Sequence, residues 1–190
     1  DLSSGVSQIF SNNSSFAALK DDGSVVTWGE SESGGDSTDV ASDLSSGVSQ
    51  IFATRWAFAA LKKDGSVVTW GESDGGDSSD VASDLSSGVS QIFSTEEAFA
   101  ALKEDGSVIT WGEKQEGGDS SDAASDLGSG VSKIFSTQGA FAALKDDGSV
   151  VTWGNDKYGS NSSDVASDLS SGVSQIFSSN RAFAALKDDG

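Results

Sequence analysis

The residues able to do chemistry in this 190-residue chain are almost all carboxylates: Asp and Glu number 30 against 11 Lys and Arg, and His, Cys, Met and Pro are absent. Without histidine the usual general base near neutral pH is missing, and without His or Cys so are the usual ligands of zinc and other transition metals. Carboxylates alone offer two chemistries, oxygen coordination of Ca2+ and paired acid–base hydrolysis of glycosides. The "GGDSSD" run and the Asp-Gly pairs bring oxygens together, but the regular ligand spacing of a dedicated calcium loop is absent. Ca2+ is therefore the one cofactor left open, with no metal ligand assigned. Nothing marks an acid of raised pKa in a cleft, so no catalytic residue is assigned and the chain reads as non-enzymatic.

Charge narrows the partners. A formal charge of −19 repels phosphate backbones, whose binding depends on Lys and Arg, which sets aside nucleic acid and anionic membranes. Such a surface serves solubility first. No apolar run approaches the roughly 18 residues of a spanning helix, and no signal peptide is visible. With Asp as its first residue, the chain reads as a processed or excised piece. Among compartments the extracellular or cell-surface one is favoured.

The elements that must position any site come from a repeat. The string "DLSSGVSQIF" begins at Asp1, Asp43, Asp84 and Asp168 and returns with small changes at Asp126, a period of 42 residues with one deletion in the second copy. A fixed period of this size means units that bury their apolar faces only against each other. The expected organisation is one repeat domain over 1–190, with units 1–42, 43–83, 84–125 and 126–167 and a partial unit 168–190. Within a unit, "VSQIFS" (Val6 to Ser11), "FAALK" (Phe16 to Lys20) and "SVVTWG" (Ser24 to Gly29) read as strands. The intervening Asp-Gly pair, at Asp22-Gly23, Asp64-Gly65, Asp105-Gly106 and Asp147-Gly148, predicts a type I′ hairpin turn. The fourth segment, "DSTDVASDLSSG", fits a short helix or an outer strand. Trp28, Trp70, Trp111 and Trp153 close the third strand of every full copy and are expected to wedge between neighbouring units.

Copy laid on copy, two patches vary freely. The pair after the first strand reads Asn13-Ser14, Arg55-Trp56, Glu96-Glu97, Gln138-Gly139 and Asn180-Arg181. The patch after Trp-Gly reads Ser31-Glu32-Ser33, Ser73-Asp74, Lys114-Gln115-Glu116 and Asp156-Lys157-Tyr158. If successive segments run antiparallel, the first and third loops share one edge of the unit and the second and fourth share the other. Both patches then fall on one face. The residues expected to bind there are Asn13, Ser14, Arg55, Trp56, Glu96, Glu97, Lys114, Gln115, Gln138, Gly139, Lys157, Tyr158, Asn180 and Arg181. Trp56 is expected as an exposed aromatic anchor.

The string "GVSQIFSTEEAFAALKEDGSVITWGE" resembles the repeat core of the regulator of chromosome condensation family, and "DKYGSN" resembles its Tyr-Gly loop after Trp-Gly. The resemblance covers about two thirds of each unit and implies β-propeller blades. Where that family usually has His-Thr at the start of the second strand, this chain has Ala98-Phe99, and its units are shorter. Nucleotide exchange and chromatin binding are not carried over. The expected fold is all-β, with propeller-like blades or an open β-rich solenoid with a short helix per repeat. The expected function is non-catalytic binding of a protein or glycan; the rival is a spacer or adhesive fibre segment of a large bacterial-type surface protein. The half copy at the end either pairs with the start of the chain or leaves an open edge for self-association.

Overall fold

In a computed structural model describing residues 2–190, each unit folds its apolar runs into an antiparallel sheet in chain order. The first unit holds β1 (Val6–Ser11), β2 (Ser15–Lys20) and β3 (Val25–Gly29); the second β4 (Val48–Ala53), β5 (Ala57–Lys62) and β6 (Val67–Gly71). The third holds β7 (Val89–Ser94), β8 (Ala98–Lys103) and β9 (Val108–Gly112); the fourth β10 (Val131–Ser136), β11 (Ala140–Lys145) and β12 (Val150–Gly154). The partial fifth unit supplies β13 (Val173–Ser178) and β14 (Phe183–Lys187), paired with each other.

The core lies between sheets. In β5, Ala57, Ala59 and Leu61 pack toward the third unit, while Phe58 and Ala60 pack toward the first. A strand buried on both faces reads as a continuous apolar run, which is why "AFAAL" does not alternate. Register places Phe58 opposite Trp70, and the rings stack at 5.3 Å, with their counterparts in the first, third and fourth units at 5.3, 5.2 and 5.2 Å. Each wedge also has a polar end: Trp70, Trp111 and Trp153 donate Nε1–H to the carbonyls of Gly34, Gly75 and Gly117 in the preceding unit, at 3.1, 3.1 and 3.2 Å. Ala98 and Phe99, at the position of the family's His-Thr, are both fully buried.

The fourth segment is no strand. It forms two 3-10 turns, Thr38–Val40 and Asp43–Ser45 in the first connection, because Asp36 accepts the Thr38 N–H and bends the backbone away from extension. The Asp-Gly turn also differs from expectation. Gly23 has φ +79°, but among the described residues no non-glycine has positive φ, so the turn is not type I′. Lys20 O accepts the Gly23 N–H at 2.9 Å, the pattern of a three-residue loop with glycine at its left-handed position. The Asp22 carboxylate instead takes the N–H and hydroxyl of Ser24, which keeps Asp22 on the negative side.

This turn makes the seam between units. A Cβ at Gly65 would lie 2.8 Å from Gly88 N, and the Gly23, Gly106 and Gly148 turns stand equally close to Gly47, Gly130 and Gly172. Across the seam Val48, Val89, Val131 and Val173 donate their N–H to Gly23, Gly65, Gly106 and Gly148. At the two ends the stacking stops. Leu2, Val6, Ile9 and Phe16 are 46, 36, 60 and 42 % exposed, whereas their counterparts Leu44, Val48, Ile51 and Phe58 are 2, 2, 3 and 0 % exposed. Strands β13 and β14 form their own two-stranded sheet and do not join β1 to β3.

Candidate binding face

Five first loops are joined by one chain of backbone hydrogen bonds. Asn13 donates its N–H to Arg55 O at 3.2 Å, Arg55 to Glu96 O at 2.6 Å, Glu96 to Gln138 O at 2.8 Å and Gln138 to Asn180 O at 3.0 Å. Every member is the first residue of a variable pair. Only main-chain atoms take part, so any residue except proline can occupy the position.

The third loops are tied to the same edge. Glu30, Glu72, Glu113 and Asn155 donate their N–H to the carbonyls of Ser14, Trp56, Glu97 and Gly139, at 3.0, 3.2, 2.9 and 2.9 Å. In the first, third and fourth units a side chain just before the first-loop pair adds a second tie: Asn12, Thr95 and Thr137 bond the carbonyls of Ser33, Glu116 and Tyr158. The first and third loops therefore form one continuous surface running along the ladder, and Trp56 and Tyr158 lie on it together.

Its side chains are partly committed to each other. The Arg55 guanidinium pairs with Glu96 and, at 3.3 Å, with Glu97, and these are the ion pairs among the described residues. Gln138 donates to the other Glu96 oxygen at 3.1 Å, Asn155 donates to Glu116 at 3.0 Å, and the Arg181 guanidinium sits 5.6 Å from the centre of the Tyr158 ring. Glu116 has its pKa raised above 4.5, first by burial, against the Asn155 hydrogen bond, with added repulsion from Glu97, Glu96 and Glu113.

Asn13, Ser14, Lys114, Gln115, Lys157, Asn180 and Arg181 are exposed, while Arg55, Trp56, Glu96, Glu97, Gln138 and Tyr158 are half-buried. Two expectations need correction. Trp56 is no free tip, because its own loop and the next one flank it. Gly139 is buried and has no side chain to offer: a Cβ there would collide with the Glu116 carboxylate and lie 2.7 Å from the Tyr158 ring. Glu72 and Asp74, outside the expected set, also line this face beside Trp56, and the shortened third loop of the second unit marks them in the sequence. The carboxylates of the "GGDSSD" segments turn inward on their own loops: Asp77 and Asp119 accept the N–H of Ser79 and Ser121, which holds their pKa below 3.8. Among the described residues no group of three or more acidic side chains stands ready for a metal.

No protein-family model matches the chain, and no curated protein does. Solved structures do. Yeast RCC1 (Prp20), solved with Kap60, superposes at TM-score 0.58 with 18% identity over 97% of this chain and 54% of that one. A second structure of Prp20p, from Saccharomyces cerevisiae, gives 0.57 with 19% identity over 97% and 51%. The chain has the RCC1-type propeller fold. Human WBSCR16 gives TM-score 0.52 at 19% identity, covering 98% of this chain and 54% of its own. The chain spans about half the length of these RCC1-type structures, and identities this low carry the fold alone.

Proposed function

We propose that the ladder face is a non-catalytic binding surface for a protein or glycan ligand, with no cofactor, and that a protein is the preferred partner. The observation that carries this reading is the division of labour in the first loops: backbone atoms hold the units together, and side chains alone change from copy to copy. The solved neighbours are consistent with a protein partner, since yeast RCC1 was crystallised bound to Kap60 and Prp20p was characterised for binding Gsp1p and histones. Arg55, Trp56, Glu96, Glu97 and Tyr158 supply half-buried aromatic and charged groups of the kind that dominate such interfaces, with the Gln138 amide and the exposed Arg181 beside them.

The test is a graft. Arg55-Trp56 is replaced by the Asn-Ser of the first unit, and parent and variant are compared on peptide and glycan arrays. Loss or change of the bound set with unchanged melting supports the reading; an identical set overturns it. The spacer reading draws on a different observation, that every junction repeats one set of seam contacts and so suits an extendable array. It requires arrays indifferent to the graft.

A further inference from the structure

The second unit is one residue short in its third loop, with Ser73-Asp74 where the first, third and fourth have three residues. The missing position is the one whose carbonyl, in Ser33, Glu116 and Tyr158, accepts a hydrogen bond from the first loop. Its loss leaves a notch of about 160 Å³ lined by Thr54, Trp56, Glu72, Asp74, Gly75 and Glu97. Thr54, 6 % exposed, is the residue whose loop-carbonyl partner this deletion removes. Its hydroxyl accepts the Ala57 N–H at 3.1 Å and donates only to Ala57 O, at a long 3.4 Å, whereas Thr95 and Thr137 also reach loop carbonyls at 3.0 and 2.8 Å.

The geometry points to a basic side chain of a protein partner, lysine or arginine, as the occupant of this notch. One wall is an indole, on which an aliphatic stem packs and a cation is attracted. The other walls carry three carboxylates. Glu97 is shared with Arg55, while Glu72 and Asp74 have no ion-pair partner among the described residues. The buried Thr54 hydroxyl can donate to a backbone carbonyl of the same partner. The chain shows an aromatic–cation pairing on the same face: at the junction of the fourth and fifth units, Arg181 of a first loop lies over Tyr158 of the preceding third loop. In the notch the aromatic is present and the cation is lacking.

This inference rests on reading the ladder face as a binding surface, and its test separates the two. End-blocked Gly-Lys-Gly and Gly-Arg-Gly, with the norleucine tripeptide as control, are titrated against the Trp56 indole N–H signal, assigned with Trp56→Phe. Saturable shifts are expected with the basic peptides at an apparent Kd of about 1–10 mM, and none with norleucine. One serine inserted between Asp74 and Gly75 restores the length of the other loops and should weaken binding at least about tenfold, the factor that corresponds to one decade of Kd. Glu72→Gln with Asp74→Asn, which leaves loop length alone, should do the same. Equal shifts with norleucine, or undiminished binding in the double variant, overturn the proposal. If the Asn-Ser graft alters the arrays but the insertion does not, the face stands and the notch falls.

Discussion

The two loop faces of this molecule seal the same junctions by different means. On the turn side, glycine backbone meets glycine backbone, with Gly65 against Gly88 and Gly106 against Gly130 so close that a Cβ would stand 2.8 Å from the neighbouring nitrogen. On the ladder side, N–H and C=O meet directly, as in the 2.8 Å bond from Glu96 to Gln138, and the side chains project beyond that contact with room to differ from copy to copy. Both faces are needed to hold the stack, yet only the turn side closes backbone on glycine backbone at every junction. Exposure to solvent does not decide which loops vary. Room for a Cβ at the junction does.

The largest expected effect breaks the turn side. Gly65→Ala combines a φ of +78° with the collision at Gly88 and should cost about 2 kcal/mol or more in urea melts, above the ~1–2 kcal/mol of the left-handed conformation alone. Gly88→Ala sharpens the point: at φ +75° it meets only Lys103 Cε at 3.5 Å, so about 1 kcal/mol is expected. On the ladder side, Arg55→Glu with Trp56→Glu sets like charges beside Glu96 and Glu97 and should cost up to about 1 kcal/mol, less in salt. The Asn-Ser graft should stay within about 0.5 kcal/mol of the parent.

Acid should separate the faces by sign. Asp22, Asp64, Asp105 and Asp147 have pKa values lowered by the hydroxyl and then the N–H of the following serine. Their contribution is present above the unfolded 3.8 and lost as pH falls through the folded values. Glu116, raised above 4.5, behaves oppositely: the folded state holds its proton more tightly, so stability is lost as pH rises from 4.5 through the folded value. Glu116→Gln should therefore raise the melting temperature slightly at pH 7 and not below pH 4.5, the smallest effect of the set.

Much of this was legible in the sequence because repetition supplies its own control. The strands, the Trp wedges and the shared edge of the first and third loops follow from period, β-branched runs and antiparallel connection. The turn type did not, because Asp-Gly fits two hairpin loops and the Ser24 hydroxyl, a local competitor for the Asp22 carboxylate, decides between them. The fourth segment was ambiguous for a similar reason, since Asp36 draws it into turns through its own side chain. The ladder and the notch were hidden because they exist only between units. Trp56 looked like an exposed tip until its neighbour's loop was placed beside it, and Gly139 looked like a variable contact when it is a clearance for Tyr158 and Glu116.

The central claim, that main-chain atoms alone carry the ladder, is tested most directly by amide hydrogen exchange at Arg55, Glu96 and Gln138 in the parent and in a variant with all three changed to alanine. These amides should exchange roughly 100-fold or more slower than an open loop, and keep that protection in the alanine variant. Loop-like exchange in either protein, or protection that vanishes with the side chains, would contradict it.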